Sequence, residues 1–387
     1  VALFSKPKSL VALDVGSSLV KAIQIKPAKP GWILENIGVA EVPADISQAK
    51  GEAAATGLVS IIRTAIMNSG SRLKDVVTSI SGEAVIVRYI SFPEMSDSEL
   101  DNAIRWQIEE HIPYRLDDIN LDYNKLVVSK KEGSKKTDVL LVAARKDLVN
   151  ERITLLKSIG LNPAVIDVDA FAVFNCFEAN YDFKLNEVVA LVNIGAQSTN
   201  IIICENNISL FARDISLAGN SITQQLASKM GISFADAEKI KVKEGIILPA
   251  TSEAAKEETP DIKVAIRETV EKITGESLSG DERTRQLSDI IRVPLQNLVT
   301  EIRRTLQFFE NQQSGKPVNR IVLSGGTAKL ENIDSFVHDR LGLPTEVFNP
   351  FAKINTTKVA MGSNELNALS PSLVVGIGLA IRQAGDR

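Results

Sequence analysis

Apolar positions along the chain follow two periods. Short apolar runs at Leu10–Asp14, Leu19–Ile25 and, past the turn at Pro30-Gly31, Ile33–Val39 predict a three-stranded meander. Helical spacing follows over Ala53–Ser69, with Leu58, Ile61, Ile62, Ala65 and Ile66 on one face. Strands at Val76–Ile80 and Val85–Phe92 lead to a marked helix start, where Ser96 and Glu99 have capping-box spacing. Leu100, Ile104, Ile108 and Ile112 then recur every fourth residue until Pro113 stops the helix. Leu121–Val128 and Thr137–Ala143 predict a hairpin whose loop is the lysine-rich run Lys130–Lys136. A helix is expected over Leu148–Ser158, ended by Gly160, and Val165–Asp169 leads into a mostly apolar helix, Ala170–Ala179.

The second half begins by repeating the first. Val188–Asn193 is an apolar strand running into Gly195, Ser198 and Thr199, and a strand at Ile201–Glu205 follows. Strand, Asp or Asn, glycine turn with hydroxyls, strand: the same order stands at Leu10–Ile25, about half a chain earlier, and suggests two related halves. Helices are predicted at Gly219–Met230 and Ser233–Lys243, the latter opened by Ser233 with Asp236 three residues on. Leu248–Asp261 has the composition of an exposed loop. Helical patterns at Ile262–Thr274 and Glu282–Gln313 follow, and Pro294 predicts a kink or break in the second. A strand at Arg320–Leu323 runs into Ser324-Gly325-Gly326-Thr327, a helix at Ile333–Leu341 ends at Gly342, and Leu373–Ile381 is expected as a buried strand-to-helix passage.

Composition narrows the function classes. The chain has 387 residues, 44% hydrophobic, which fits a folded protein of two or three domains. Lys and Arg number 44 against 48 Asp and Glu, a net charge of -4, and that balance argues against a nucleic-acid partner. Two cysteines and two histidines support neither a disulfide framework nor a Cys- or His-rich metal site, and suit a reducing cytoplasm. No apolar run comes near the ~18–20 residues of a membrane span, so direct membrane insertion is not expected. Val1–Leu13 lacks the pattern of a signal peptide.

Candidate chemistry lies in three glycine turns, each directly after an apolar strand: Asp14-x-Gly16-Ser17-Ser18, Asn193-x-Gly195-x-x-Ser198-Thr199 and Ser324-Gly325-Gly326-Thr327. Glycine lets backbone N–H groups approach an anion without a Cβ in the way, and hydroxyls add donors. A carboxylate at a strand end can hold magnesium through water, which makes Asp14 the candidate metal residue. One such turn is weak evidence, but three in order, with Ala235–Lys241 between the second and third, are specific.

That order resembles the actin, Hsp70 and sugar-kinase superfamily. Asp14–Lys21 is similar to its first phosphate loop, Asn193–Asn200 to its second and Leu323–Thr327 to its adenosine motif. Gly219-x-x-Ile222-Thr223-x-x-Leu226-Ala227 and Ala235-x-Ala237-Glu238-x-x-Lys241 resemble the FtsA-like branch. Arg105-Trp106-x-x-Glu109-x-x-Ile112-Pro113-Tyr114 and Val142–Arg145 resemble the PilM family of type IV pilus assembly. The resemblance covers nearly the whole chain.

It implies an α/β, actin-like ATPase fold with two ribonuclease-H-like halves and two insert subdomains. On this reading subdomain 1A takes 1–82, 164–185 and 360–387, and subdomain 1C takes 83–163. Subdomain 2A takes 186–244 and 318–359, and subdomain 2B takes 245–317. It also implies ATP with Mg2+ between the halves, held by Asp14, Gly16, Ser17, Ser18, Lys21, Asn193, Gly195, Ser198, Thr199, Gly219, Glu238, Lys241, Gly325, Gly326 and Thr327. The implied role is a cytoplasmic scaffold. It would bind the cytoplasmic N-terminal segment of the inner-membrane protein PilN in a groove between 1A and 1C. Through PilN and other inner-membrane assembly proteins it would reach the inner face of the membrane.

One departure bears on turnover. The superfamily commonly has Asp where this chain has Asn193, and an amide neither supplies negative charge nor takes a proton. An ATP binder with at most slow hydrolysis is therefore expected. A small-molecule kinase of the same superfamily is a second reading, though Asn193 supplies no base. A membrane-tethered FtsA-like filament protein is a third, but nothing after Leu373–Gln383 provides the tail it would need. Rival motifs are thin: there is no P-loop, and Gly376-x-Gly378 is a poor dinucleotide match. Asp167 and Asp169 are read mainly as N-caps ahead of Ala170, with a cleft acid as the alternative. Trp106 is read mainly as a second core contact, with a partner surface as the alternative.

Overall fold

A computed structural model describes residues 9–29, 31–49, 52–82, 85–131, 134–247, 280–313 and 315–382. The chain opens with the expected meander, β1 (Val11–Val15), β2 (Leu19–Pro27) and β3 (Trp32–Glu41). A short helix α1 (Ala44–Gln48), the long α2 (Glu52–Ser69) and β4 (Asp75–Ile80) follow. Next come β5 (Val85–Pro93), α3 (Asp97–His111), β6 (Ile119–Lys131) and β7 (Ser134–Arg145). The chain then returns through α4 (Lys146–Ser158), β8 (Asn162–Val168) and α5 (Asp169–Asn180).

The second half holds β9 (Val188–Ile194), β10 (Thr199–Glu205), β11 (Ile208–Ile215), α6 (Gly219–Met230), α7 (Phe234–Glu244) and α8 (Gly280–Gln312). It closes with β12 (Arg320–Ser324), α9 (Ile333–Leu341), β13 (Thr345–Val347), β14 (Ile354–Asn355), α10 (Ser363–Leu369) and α11 (Val374–Ile381). The expected loop at Leu248–Asp261 and helix at Ile262–Thr274 lie outside the described residues.

These elements build three sheets. The first has the order β14-β3-β2-β1-β4-β8, the second β11-β10-β9-β12-β13, and the third β5-β7-β6. In each of the two large sheets an antiparallel hairpin adjoins parallel strands: β1 pairs antiparallel with β2 and parallel with β4, as β9 does with β10 and β12. The duplication read from sequence is thus a duplication of topology. Burial explains the layers. Val188–Ile194 is buried at every position, as a central strand of a sheet covered on both faces must be. Helices α5 and α11 carry Phe174, Phe177, Val374 and Ile377 into one apolar cluster that touches both large sheets. Helices α2 and α4 cover the other face of the first sheet through Ile61, Ile62, Ala65 and Leu156.

The third sheet stands apart with its own core, where Leu100, Ile104, Ile108 and Ile112 of α3 pack on Val139, Leu141 and Ala143. Its helix start is the expected capping box, with both reciprocal bonds between Ser96 and Glu99 in place. The lysine run belongs largely to the arms of this hairpin: Lys130 pairs with Lys135 and Lys131 with Ser134, which shortens the expected loop.

Three further expectations change. Helix α8 runs unbroken through Pro294. Its apolar face, including Leu287, Ile291, Leu295, Leu298, Ile302 and Phe309, is buried, and at about 2 kcal/mol per side chain this outweighs the ~3 kcal/mol an interior proline costs. The expected passage at Leu373–Ile381 is helical throughout; a segment apolar on all sides has no period to read. Residues Ser363–Ile381 are together long and apolar enough to cross a membrane, but 61% of that stretch is buried inside the molecule. Gly378 lets α11 touch α5, since a Cβ there would lie 1.7 Å from the Ala172 carbonyl.

Candidate functional site

The parallel pairing of β1 with β4 and β8 brings their C-terminal ends to one side of the first sheet, and β9 and β12 do the same in the second. A cleft of about 1900 Å³ lies where these ends face each other. Thirteen of the fifteen expected residues line it: Asp14, Gly16, Ser17, Ser18, Lys21, Asn193, Gly195, Ser198, Glu238, Lys241, Gly325, Gly326 and Thr327. Thr199 and Gly219 do not. Thr199 is fully buried and donates its hydroxyl to the Leu217 carbonyl, which holds the turn from behind. Gly219 backs the wall, its N–H donating to the Gly195 carbonyl at 3.0 Å.

The two phosphate-type turns close alike. Gly16 donates its N–H to Leu19 O at 3.1 Å, and Gly195 donates to Ser198 O at 3.0 Å. That leaves the N–H groups of Ser17, Ser18, Ala196 and Gln197 without an acceptor among the described residues, as an anion-binding turn requires. Glycine lets the segments of the cleft wall pack closely. Gly325 sits at φ +89°, and a Cβ there would lie 2.3 Å from Ile194 O and 2.9 Å from Asn193 Oδ1. A Cβ on Gly219 would lie 2.6 Å from Thr327 Oγ1 and 3.4 Å from Lys241 Nζ.

Charge in the first half follows from register. Asp14 on β1 stands opposite Lys21 on β2, and the two form a buried ion pair at 2.9 Å. Burial nevertheless holds Asp14 above the usual carboxylate range; Lys21 pulls it down, and the neighbouring Asp169 carboxylate adds to the rise. In the second half Lys241 reaches Glu238 at 2.7 Å, Thr223 Oγ1 at 2.8 Å and Gly219 O at 3.3 Å. Burial lowers Lys241 against the pull of Glu238. This cluster holds Gly219 and Thr223 in place more than it offers free charge.

Asp167 and Asp169 part company. Neither caps α5, whose N-cap is Val168 with no side-chain bond. Asp167 pairs with Arg382 at 3.2 Å and accepts from the Val168 N–H, because alternate residues of β8 face opposite ways. Asp169 lines the cleft beside Asp14 and has no ion pair among the described residues. Neither Arg152 nor Lys329 was marked by any motif. Arg152 comes from the middle of α4, its Nη1 buried without a partner in the same cleft, where Asp169 and Asp14 favour its charge and burial opposes it. Lys329 follows the third glycine turn, lowered by burial and by the nearness of Lys21. Trp106 is 87% exposed on α3, so it is not the second core contact expected of it.

The donor set fits a nucleotide: free N–H groups on two turns, cations at Lys21, Arg152 and Lys329, and glycines where a Cβ would intrude. No group of three side chains able to hold a metal ion occurs among the described residues. Magnesium would therefore fit only as an ion carried with phosphates and water, with Asp14 as its protein neighbour.

A second cavity, about 550 Å³, lies between the third sheet and the second. Its walls are Ser81 and Gly82 after β4, Val85–Arg88 of β5, and Ala212–Ser216 at the end of β11. Both β5 and β11 are edge strands, and Tyr89 Oη meets Ser209 Oγ at 2.7 Å between them.

Comparison with known proteins agrees with this geometry. The family model for the type IV pilus assembly protein PilM matches residues 12–253 and 283–384. The solved structure of a PilM-PilN type IV pilus biogenesis complex is similar at TM-score 0.76 and 26% identity, over 97% of this chain and 99% of that one. The ethanolamine utilization protein EutJ from Carboxydothermus hydrogenoformans matches at TM-score 0.52 and 12% identity, over 97% of this chain and 90% of that one. MreB 5 of Spiroplasma citri bound to AMPPNP matches at TM-score 0.53 and 13% identity, over 97% and 96%. The last two share the fold, which is actin-like, as the sequence resemblance implied.

Proposed function

This chain belongs to the type IV pilus assembly protein PilM family, and from that premise we propose that it is an actin-like, nucleotide-binding scaffold for the cytoplasmic N-terminal segment of PilN. The observation that carries this reading is the match, over nearly the full length of both chains, to a PilM that is in complex with PilN. The ligand of the large cleft is Mg-ATP. The turns at Gly16 and Gly195 hold its phosphates, Lys21 and Arg152 supply counter-charge, and the wall at Gly325–Thr327, backed by Gly219, takes the adenosine side. When bound, magnesium would offset charge on the phosphates, with Asp14 as its neighbour through water. The protein works in the cytoplasm, and its partners bring it to the inner membrane.

The smaller cavity is the proposed seat of the PilN segment: it lies where Ser81, Gly82, Val168 and Ala170 of the expected 1A meet Val85–Arg88 of 1C, and β11 of the second sheet adds a third wall to the expected groove. An extended peptide there gains from backbone pairing at the open edges of β5 or β11 and from apolar pockets such as Val85, Val87 and Ile215. A segment that is disordered when free offsets its ordering entropy first, so micromolar affinity is expected, about 8 kcal/mol. The test is calorimetry of the full chain with that segment, with and without Mg-ATP. Absence of binding in both conditions would refute the pilus-scaffold reading while leaving the fold intact. The kinase reading has one structural point in its favour, the Asp169 carboxylate in the cleft. Rapid ATP turnover stimulated by a small-molecule acceptor would support it instead.

A further inference from the structure

The register of the second sheet sets polar residues of adjacent strands in one row. Ser324 on β12 stands opposite Asn193 on β9, Asn193 opposite Asn200 on β10, and Asn200 opposite Asp214 on β11. Their side chains form one directed chain of hydrogen bonds. Ser324 Oγ donates to Asn193 Oδ1 at 3.3 Å, Asn193 Nδ2 donates to Asn200 Oδ1 at 2.9 Å, and Asn200 Nδ2 donates to Asp214 Oδ1 at 2.8 Å. From the other side, the N–H of Gly82 donates to Asp214 Oδ2 at 2.6 Å. The row crosses four strands and then steps onto the other half of the molecule, at the last described residue before β5.

Its two ends belong to different cavities. Asn193 and Asn200 line the large cleft, Asp214 and Gly82 line the slot between β5 and β11, and Gln197 and Ser198 of the phosphate turn line both. Ser324, Asn193 and Asn200 are buried, so water does not readily replace a broken link. The row also accounts for the amide at Asn193. An amide accepts and donates at once, whereas a carboxylate only accepts. A carboxylate at that position would face Asn200 Oδ1. Turning Asn200 over to donate to it would set its oxygen against the Asp214 carboxylate. The chain therefore admits one carboxylate, at its end. In the first half the matching positions hold Asp14 and Lys21, and the row passes from Lys21 to Val39, which carries nothing onward.

We propose that this row couples the cleft to the slot, with Asn193 as a positioning residue, so that filling either cavity raises affinity at the other. The proposal rests on the nucleotide and partner reading above. A ligand on the turn at Gly195–Ser198 fixes Asn193 and Asn200, and through Asp214 it fixes Gly82. The second ligand then finds its wall already ordered. By linkage the factor is the same in both directions.

The experiment is a thermodynamic cycle by calorimetry on the full chain, with Mg-ATP and a synthetic peptide of the PilN cytoplasmic segment as probes. The wild-type protein should bind the peptide about fivefold or more tighter when saturated with Mg-ATP, and Mg-ATP tighter by the same factor when saturated with peptide. In Asp214→Asn the factor should fall to about one, whatever each single affinity becomes, because Asn200 and Gly82 donate to different oxygens of Asp214 and the amide puts an NH2 donor in place of one of them. Independent binding in the wild type, or undiminished coupling in a folded Asp214→Asn, overturns the proposal and leaves both binding readings standing. If that variant does not fold, hydrogen exchange of the wild type decides: the Gly82 amide should exchange more slowly with Mg-ATP alone, and unchanged exchange overturns the coupling. Failure to bind Mg-ATP at all would sink the nucleotide reading, and the proposal with it.

Discussion

The ion pair of Asp14 and Lys21 shows how one residue position combines fold and function. Strand register places the two side chains together, and burial makes each depend on the other. Lys21→Met should destabilise the protein by about 3–5 kcal/mol near neutral pH, since it leaves a buried carboxylate alone. The pH dependence follows from direction. Asp14 already sits above its unfolded value, so the folded state holds its proton more tightly, and stability falls as pH rises from the unfolded value through the folded one. Removing Lys21 removes the strongest opposing pull and sends Asp14 higher. The loss should therefore shrink in urea melts at acid pH, where the carboxyl is protonated in both states; an equal loss at both pH values would contradict this account. Gly325→Val is the sharper test of the nucleotide wall. The φ of +89° and the carbonyl 2.3 Å from the new Cβ exclude the side chain without a shift of the turn. Mg-ATP affinity should drop at least ~10-fold, about 1.4 kcal/mol, in a protein that still melts cooperatively. Glycines after apolar strands were legible because the chemistry of a tight turn is local. Arg152 was not, because a lone arginine in a charged surface-like helix carries no mark of the cleft it reaches by tertiary packing.

Among the elements, α3 could be read from cap to stop: a capping box, four apolar residues on one face, and a proline stop. The burial of Leu100, Ile104, Ile108 and Ile112 follows from these, whereas Trp106, expected in the core, is exposed. Helix α4 could be read as a helix but not placed, since a 3.6-residue period states which face is apolar and not which sheet receives it. The structure gathers its Leu156 into one apolar cluster with Leu13 and Val76 of the first sheet and Ile62 of α2, and β8 pairs with β4 from Asn162 onward. An excision of the third sheet should accordingly stop at Arg145. Replacing residues 85–145 with a short Gly/Ser linker should leave a folded protein that binds Mg-ATP and no longer binds the PilN segment. Carrying the excision to Pro163 would remove α4 and open the edge of β4, and should yield insoluble chain. Retained peptide binding after the shorter excision, read by calorimetry, would place the partner elsewhere.

At the scale of the molecule, the repeat of strand, glycine turn and strand foretold two related halves, and the family resemblance implied the cleft between them. The sequence alone could not show that the two rows of polar residues behind those turns differ in kind. The first row holds charge, with Asp14 and Lys21 paired and Asp169 beside them; the second holds amides, with Asn193 and Asn200. Groups able to take a proton near bound phosphates therefore come from the first half. Asp14 is tied to Lys21, which leaves Asp169 as the neighbouring carboxylate without an ion pair among the described residues. Turnover of ATP should be far below the ~10 per second typical of enzymes, because the cleft carboxylate of the second half, Glu238, is held by Lys241 and Thr223 and Asn193 supplies none. What turnover there is should depend on Asp169. Asp169→Asn keeps the size of the side chain and should lower the steady-state rate by about 100-fold while leaving the calorimetric Mg-ATP affinity within a few fold. A rate unchanged in Asp169→Asn would show that water reaches the phosphate without this carboxylate. A fast wild-type rate would show that the amide row is no barrier to chemistry, and would turn the reading from scaffold toward kinase.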